Sequence, residues 1–246
     1  MNVDYREKPI LEMQDIVKEF SGVYALSGIT FDLYRSEIHC LVGENGAGKS
    51  TLMKVICGII KPNSGRIYFN GQDITDWSIT DRANLGISYA FQKPVAFKGL
   101  KVIDLLTLAS GRGTTLSEAC DYLSEVGLCA RDYIDRELND SLSGGEMKRI
   151  EIAMMLARST ALSLFDEPEA GIDLWSFQSL IQVFEKMNEK TNGKILIISH
   201  QERILNIANR IIMMQDGKVV RDGKPDDVMP YIIGSGCTKI MDKLTK

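Results

Sequence analysis

No uncharged apolar run in this 246-residue chain is long enough to cross a bilayer, and Met1–Lys8 lacks the apolar core that a signal peptide needs. Any spanning part is therefore expected to come from another chain. Cysteine is sparse: Cys40, Cys57, Cys120, Cys129 and Cys237 show no C-x-x-C spacing, and their odd number argues against a complete disulfide framework. They are expected to be reduced thiols, three of them in apolar or helical surroundings, in a cytosolic protein. There is no repeat, no low-complexity linker, no charge block and no long coiled-coil insertion. A net charge of -4 and the lack of a basic patch exclude a general pull towards nucleic acid or acidic membrane. What remains is ordinary soluble composition, 44% hydrophobic and 25% charged, in a chain long enough to bury a substantial core.

The order of apolar patterns predicts an α/β fold. Ile10–Phe20 and Ile29–Leu33 alternate as strands, with Phe20, Tyr24 and Leu26 between them. Pro62–Gly65 reads as a turn, Arg66–Phe69 as a strand and Asn70-Gly71 as a tight hairpin turn. Ile87–Phe91 is a short strand closed by Lys93-Pro94. Val102–Leu138 has helical spacing and reads as a helical insertion, a subdomain of about residues 93–158 within a single domain spanning the chain. A helix follows with Ile150, Ala153, Met154 and Ala157 on one face, then a buried strand Leu162–Phe165. Leu174, Phe177, Leu180, Ile181, Phe184 and Met187 mark a long amphipathic helix, Ile195–Ser199 another buried strand, and Arg210–Val220 a hairpin around Asp216-Gly217. Apolar strands alternating with helices imply a mostly parallel sheet. The tail 229–246, with Gly234-Ser235-Gly236 and Lys239, Lys243 and Lys246, carries no readable function.

Between the apolar run Ile38–Val42 and the helical Leu52–Ile56 lies Gly43-Glu44-Asn45-Gly46-Ala47-Gly48-Lys49-Ser50-Thr51. This is strand, glycine loop, helix in the pattern G-x-x-x-x-G-K-[ST], which marks a P-loop NTPase core. Its glycines let consecutive N–H groups turn inward around anionic oxygens. Lys49 adds a charge at the β- and γ-phosphates, the helix start adds its dipole, and the Ser50 hydroxyl suits Mg²⁺. A nucleoside triphosphate with magnesium is the expected ligand. The loop alone does not separate an ATPase from a GTPase or a kinase.

The strand Leu162–Phe165 ends in Asp166-Glu167, and two adjacent carboxylates at the end of a buried strand need compensation. Beside a phosphate loop, Asp166 is expected to hold Mg²⁺ through its water shell and Glu167 to polarise the attacking water. Ser143-Gly144-Gly145 opens a helix, which makes a second place for anions.

Leu142-Ser143-Gly144-Gly145-Glu146 resembles the signature sequence of ATP-binding cassette ATPases. The other motifs of that family follow in its order over nearly the whole chain: the loop Gly43–Thr51, Gln92, the signature, Asp166-Glu167, Asp173 and His200. The resemblance implies a P-loop core with an N-terminal antiparallel β subdomain and a helical insertion. It also implies that Phe20, or its neighbour Tyr24, stacks on adenine, that Gln92 senses magnesium and water, and that His200 contacts the γ-phosphate. Ser143–Glu146 would close on ATP held by a second copy in a head-to-tail dimer, with Asp173 in the dimer loop.

Two branches of the family are similar to different stretches. Gly22–Gly28 and Val42–Gly58 look like ATPases of sugar and amino-acid importers, which act on a membrane permease. Ala90–Val95 with Gly99, Ser143–Glu151, Glu169 and Ser199–Leu205 resemble the soluble ATPase of the Suf iron–sulfur cluster assembly machinery. The partner-facing segments place the Suf-type ATPase first and the importer subunit second. Either implies a cytoplasmic chain, at the inner face of the cell membrane if a permease is the partner, and no nucleic-acid partner.

Overall fold

The computed structural model describes residues 8–34, 37–139, 141–191 and 194–232. Met1–Glu7, Cys237, Gly234–Gly236 and the terminal lysines lie outside the described residues, as does the side chain of Leu174. Strand β3 (Ile38–Val42) is the centre of the molecule, buried along its whole length. It pairs in parallel with β10 (Ile195–Ile198) on one side and β11 (Arg210–Gln215) on the other. The sheet continues through β9 (Leu162–Asp166) to β6 (Ile87–Ala90), again parallel, and ends on the other edge with antiparallel β12 (Lys218–Gly223). The order is β12-β11-β3-β10-β9-β6. β9 and β10 are also buried throughout, as expected for parallel strands covered on both faces.

Alternate residues of β3 enter two different cores. Ile38, Cys40 and Val42 face a core shared with α3 (Val102–Ser110), α4 (Leu116–Glu125), α6 (Gly144–Arg158) and α7 (Leu174–Thr191). Leu41 faces the other, shared with α1 (Lys49–Ile56) and an antiparallel sheet of β1 (Leu11–Phe20), β2 (Val23–Leu33), β4 (Ser64–Phe69) and β5 (Gln72–Asp73) in the order β2-β1-β4-β5.

The second strand is longer than its alternation predicts, starting at Val23 rather than Ile29 and including Tyr24 and Leu26. Gly28, at φ +77°, interrupts the pattern there, so the buried residues step by three from Leu26 to Ile29. In β1 the phase slips likewise: Leu11 and Met13 are buried, then Ile16, across a register shift at Asp15 with φ +50°. Gly65 of β4 faces that bulge, where a Cβ would lie 2.6 Å from the carbonyls of Gln14 and Asp15. Strand β4 accordingly starts at Ser64, inside the expected turn. Asn70-Gly71 and Asp216-Gly217 form tight turns as read, each with two positive φ values.

The insertion is not purely helical. Phe97–Lys101 (β7) pairs with Glu137–Leu138 (β8), with α3, α4 and the short α5 (Ala130–Tyr133) between. Helix α6 departs further from its expected single apolar face. Lys148, Ile150, Ile152, Ala153, Met155 and Ala157 are all buried, whereas Met154 is only half-buried. Two short helices, α2 (Ile79–Asn84) and α8 (Glu202–Asn206), were not read from the pattern. Residues 225–232 are helical, so the first four residues of the expected tail continue a helix. Cys40 and Cys57 are buried, Cys120 is half-buried and Cys129 exposed, all as free thiols. No helix of the described residues is long and apolar enough to cross a membrane.

Candidate active site

Four parallel strands deliver the site. β3 runs into the glycine loop, β6 into Gln92, β9 into Asp166-Glu167 and β10 into Ser199-His200. In a parallel sheet these ends lie side by side, which is where the crevice of an open α/β fold forms. Residues as far apart as Gly43 and His200 thereby meet.

In the loop, Gly43, Gly46 and Gly48 have φ of +152°, +87° and +96°. A Cβ on Gly48 would lie 2.3 Å from the Ala25 carbonyl, and one on Gly43 2.2 Å from that of Met214, so glycine is required at both by conformation and by space. Ala47 is buried and anchors the loop, while Glu44, Asn45 and Gly46 are exposed. Lys49 is only 6% exposed, and its ammonium donates to the carbonyls of Gly43 at 2.6 Å and Glu44 at 2.9 Å. Burial lowers its pKa, opposed by Glu167 and Asp166. Thr51, half-buried, follows in the first turn of α1.

Ser50 Oγ donates to Asp166 Oδ1 at 3.2 Å, and Tyr89 OH donates to Asp166 Oδ2 at 2.8 Å. Burial, with Asp166 adding to it, pushes the Tyr89 hydroxyl up, so it remains a donor. Gln92 Nε2 donates to Glu167 Oε2 at 2.7 Å. Glu167 holds φ +47° while its own N–H bonds Ile198 O, a strained backbone at the point where the carboxylate must turn off the strand. His200 is exposed; partial desolvation and Lys49 lower its pKa, opposed by Glu167. The hard oxygens of Ser50 and Asp166 suit Mg²⁺, and the Gln92 amide bonds Glu167, the neighbour of Asp166. Among the described residues no cluster of three His, Cys, Asp or Glu could hold a metal by itself.

Phe20 ends β1 at 45% exposure with Lys18 Nζ 5.0 Å from its ring centroid; Tyr24 is 58% exposed on the neighbouring strand. The signature turn is held by its own bonds, to Tyr133 and to the loop at Gly171. Ser143 Oγ caps α6 by accepting from Glu146 N, and the Glu146 carboxylate accepts from Ser143 N at 2.6 Å and Tyr133 OH at 2.5 Å. Those bonds, that from Tyr133 first, hold Glu146 down at about 2. Ser143 and Gly144 are exposed, and Gly145 packs so closely on Gly171 that a Cβ would lie 2.6 Å from its carbonyl. Asp173 caps α7, accepting from Ser176 N at 3.0 Å and Ser176 Oγ at 2.7 Å.

Sequence reasoning missed Tyr89; a tyrosine in a buried strand needs a partner for its hydroxyl, which was the available signal. It named Glu169 without a role: this carboxylate accepts from Ser199 Oγ at 2.6 Å, tying the Glu167 loop to the His200 loop, and burial pushes it up. It also gave no role to Lys148 and Glu151 on α6.

The family described as ABC transporter matches residues 26–170. The chain belongs to that family. It is an ATP-binding cassette, and so an ATPase of a family that binds ATP and dimerises. It is 36% identical to the ABC transporter ATP-binding protein MJ0035 of Methanocaldococcus jannaschii, over 89% of this chain and 90% of that one. It is 32% identical to the spermidine/putrescine import ATP-binding protein PotA of Mesoplasma florum, covering 90% of this chain and 63% of PotA. The iron-sulfur cluster assembly protein SufC of Plasmodium berghei is also 32% identical, over 87% of this chain and 63% of SufC. The chain thus spans somewhat less than two thirds of the latter two. Among solved structures, the cassette cbiO1 of the Clostridium perfringens ABC transporter complex cbiONQ superposes with a TM-score of 0.75 at 29% identity, over 91% and 92% of the two chains.

Proposed function

We propose that this cassette binds Mg-ATP on Gly43–Thr51 and hydrolyses it only when two copies close head to tail, each placing Ser143–Gly145 on the other's nucleotide. The observation that carries the reading is the convergence of Lys49, Ser50, Gln92, Asp166, Glu167 and His200 at four strand ends, while the signature turn bonds Tyr133, packs on Gly171 and leaves Ser143 and Gly144 exposed. Lys49 exchanges its loop carbonyls for β- and γ-phosphate oxygens. Ser50 and Asp166 would hold the magnesium, Asp166 through water, and the ion would supply positive charge to the transferring phosphoryl group. Glu167 aligns water for in-line attack, Gln92 fixes that carboxylate, and His200 with Lys49 stabilises the developing charge. Phe20 stacks on adenine.

Closure and reopening then drive a partner, and a Suf-type scaffold for iron–sulfur cluster assembly is the reading we favour. Support comes from Glu146 and Glu169, whose carboxylates are built into hydrogen bonds with Tyr133, Ser143 and Ser199, and from the similarity to SufC. The importer reading is favoured by the similarity to PotA. An open cleft of about 600 Å³ beside Gln92, lined by Tyr89, Phe91, Val95, Phe97, Leu105 and Met154, offers either partner apolar purchase. Affinity purification of tagged Glu167→Gln protein from detergent-solubilised source cells with Mg-ATP separates them. A soluble β-rich scaffold without a permease supports assembly; a polytopic membrane protein overturns it in favour of transport.

A further inference from the structure

Lys148 and Glu151 sit one turn apart on α6. Lys148 is fully buried and the Glu151 side chain is 17% exposed, with Nζ 3.2 Å from Oε2. A buried ion pair is often no more stable than two apolar residues of the same volume, so stability alone does not explain this one. Each charge has a second contact, and both contacts go to the same residue. Lys148 Nζ donates to Phe91 O, and Glu151 Oε1 accepts from Phe91 N at 3.1 Å. Phe91 lies just past the end of β6, where the ladder to β9 stops at Ala90. Its backbone groups are thus satisfied by a helix rather than by the sheet.

The next residue is Gln92, whose amide is 2.7 Å from Glu167. The same helix begins at the signature turn, a little over one turn before Lys148. We infer that Lys148 and Glu151 are positioning residues that fix the backbone of Phe91 to α6, so that the seating of the signature turn on the partner's nucleotide sets the position of Gln92 against Glu167. The inference rests on the assignment of Gln92 to the reacting site. Because both polar groups of Phe91 are held, the peptide on either side cannot rotate without breaking a charged hydrogen bond, and a shift of α6 along or about its axis is passed to the glutamine. The bonds of both side chains go to Phe91 and to each other. Their effect is therefore on turnover and not on ATP affinity.

A double-mutant cycle tests this. Lys148→Met/Glu151→Leu replaces the ion pair with apolar side chains and leaves no buried charge. Lys148→Met/Glu151→Gln is a second variant that keeps an acceptor for the Phe91 N–H. Each is combined with Gln92→Ala, and kcat, Mg-ATP affinity and the melting temperature are measured on the full chain. The expected result is a fall in kcat of about tenfold or more with affinity within about twofold, and no further fall when Gln92→Ala is added. An unchanged kcat in both clamp variants, where Gln92→Ala alone lowers it, overturns the clamp and spares the Gln92 assignment. Losses that multiply show that the two act independently and overturn it as well. An unchanged kcat in Gln92→Ala itself overturns both.

Discussion

Arg82 is 1% exposed, yet among the described residues its guanidinium reaches no carboxylate; it donates to Val55 O at 2.7 Å, Ile56 O at 2.9 Å and Thr75 O at 2.8 Å. The first two are carbonyls of the last turn of α1, the helix whose other end carries Lys49 and Ser50. A cation there bonds Ile56 O, adds to the bond Val55 O already accepts from Gly58 N, and complements the negative end of the dipole. Arg82→Met keeps most of the stem and removes the three bonds. Charged hydrogen bonds contribute about 1.5–3 kcal/mol each, a gross loss of about 4.5–9 kcal/mol. Freeing the protein from burying the guanidinium, whose pKa burial lowers, returns several kcal/mol of that. The net loss expected is about 3 kcal/mol. For a chain of this size that is a fall of roughly 6–12 °C in Tm, with a lower urea midpoint and an unchanged slope. ATP affinity should change far less, because Lys49 and Ser50 sit at the opposite end. A shift in Tm under about 2 °C would refute the role of these three bonds.

Lys49→Ala should weaken Mg-ATP binding by about 2–5 kcal/mol, roughly 30- to 4000-fold, in a fluorescent-nucleotide titration. Gly46→Ala meets nothing within 4 Å and should lose only the roughly 1–2 kcal/mol of a left-handed residue, whereas Gly48→Ala also meets the Ala25 carbonyl and should lose more, along with nucleotide binding; urea denaturation ranks the two. His200 is one of two histidines, so its NMR titration is readily assigned by His200→Asn. Its midpoint should lie below the ordinary value of about 6.5 and rise in Lys49→Ala. Since the unfolded chain takes up that proton first, this group favours unfolding as pH falls through the ordinary histidine range.

Legibility followed the range of the physics involved. The strand, glycine loop and helix at 38–56 and the turns Asn70-Gly71 and Asp216-Gly217 are local, set by glycine φ and apolar runs, and were readable. Strand β2 was half-read because Gly28 shifts its phase, and β7 and β8 were missed because they are short and 36 residues apart between Lys101 and Glu137 in their pairing. Helix α6 misled because burial all round it comes from packing against α3 and α4 as well as the sheet, which leaves no single apolar stripe. Gln92 and Glu167 were each legible as motif residues, but their mutual hydrogen bond was not. Tyr89 on Asp166, Ser199 on Glu169 and Lys148 with Glu151 on Phe91 join segments 30 to 77 positions apart, so periodicity contains no trace of them.

The most direct test is to purify Glu167→Gln protein and measure ATP turnover and, by light scattering after size exclusion, its mass with and without Mg-ATP. Turnover should fall by about a hundredfold or more while ATP binding persists, and the mass should double only when ATP is present. Normal hydrolysis by this variant, or a monomer at saturating ATP, would contradict hydrolysis by Glu167 at a head-to-tail dimer interface.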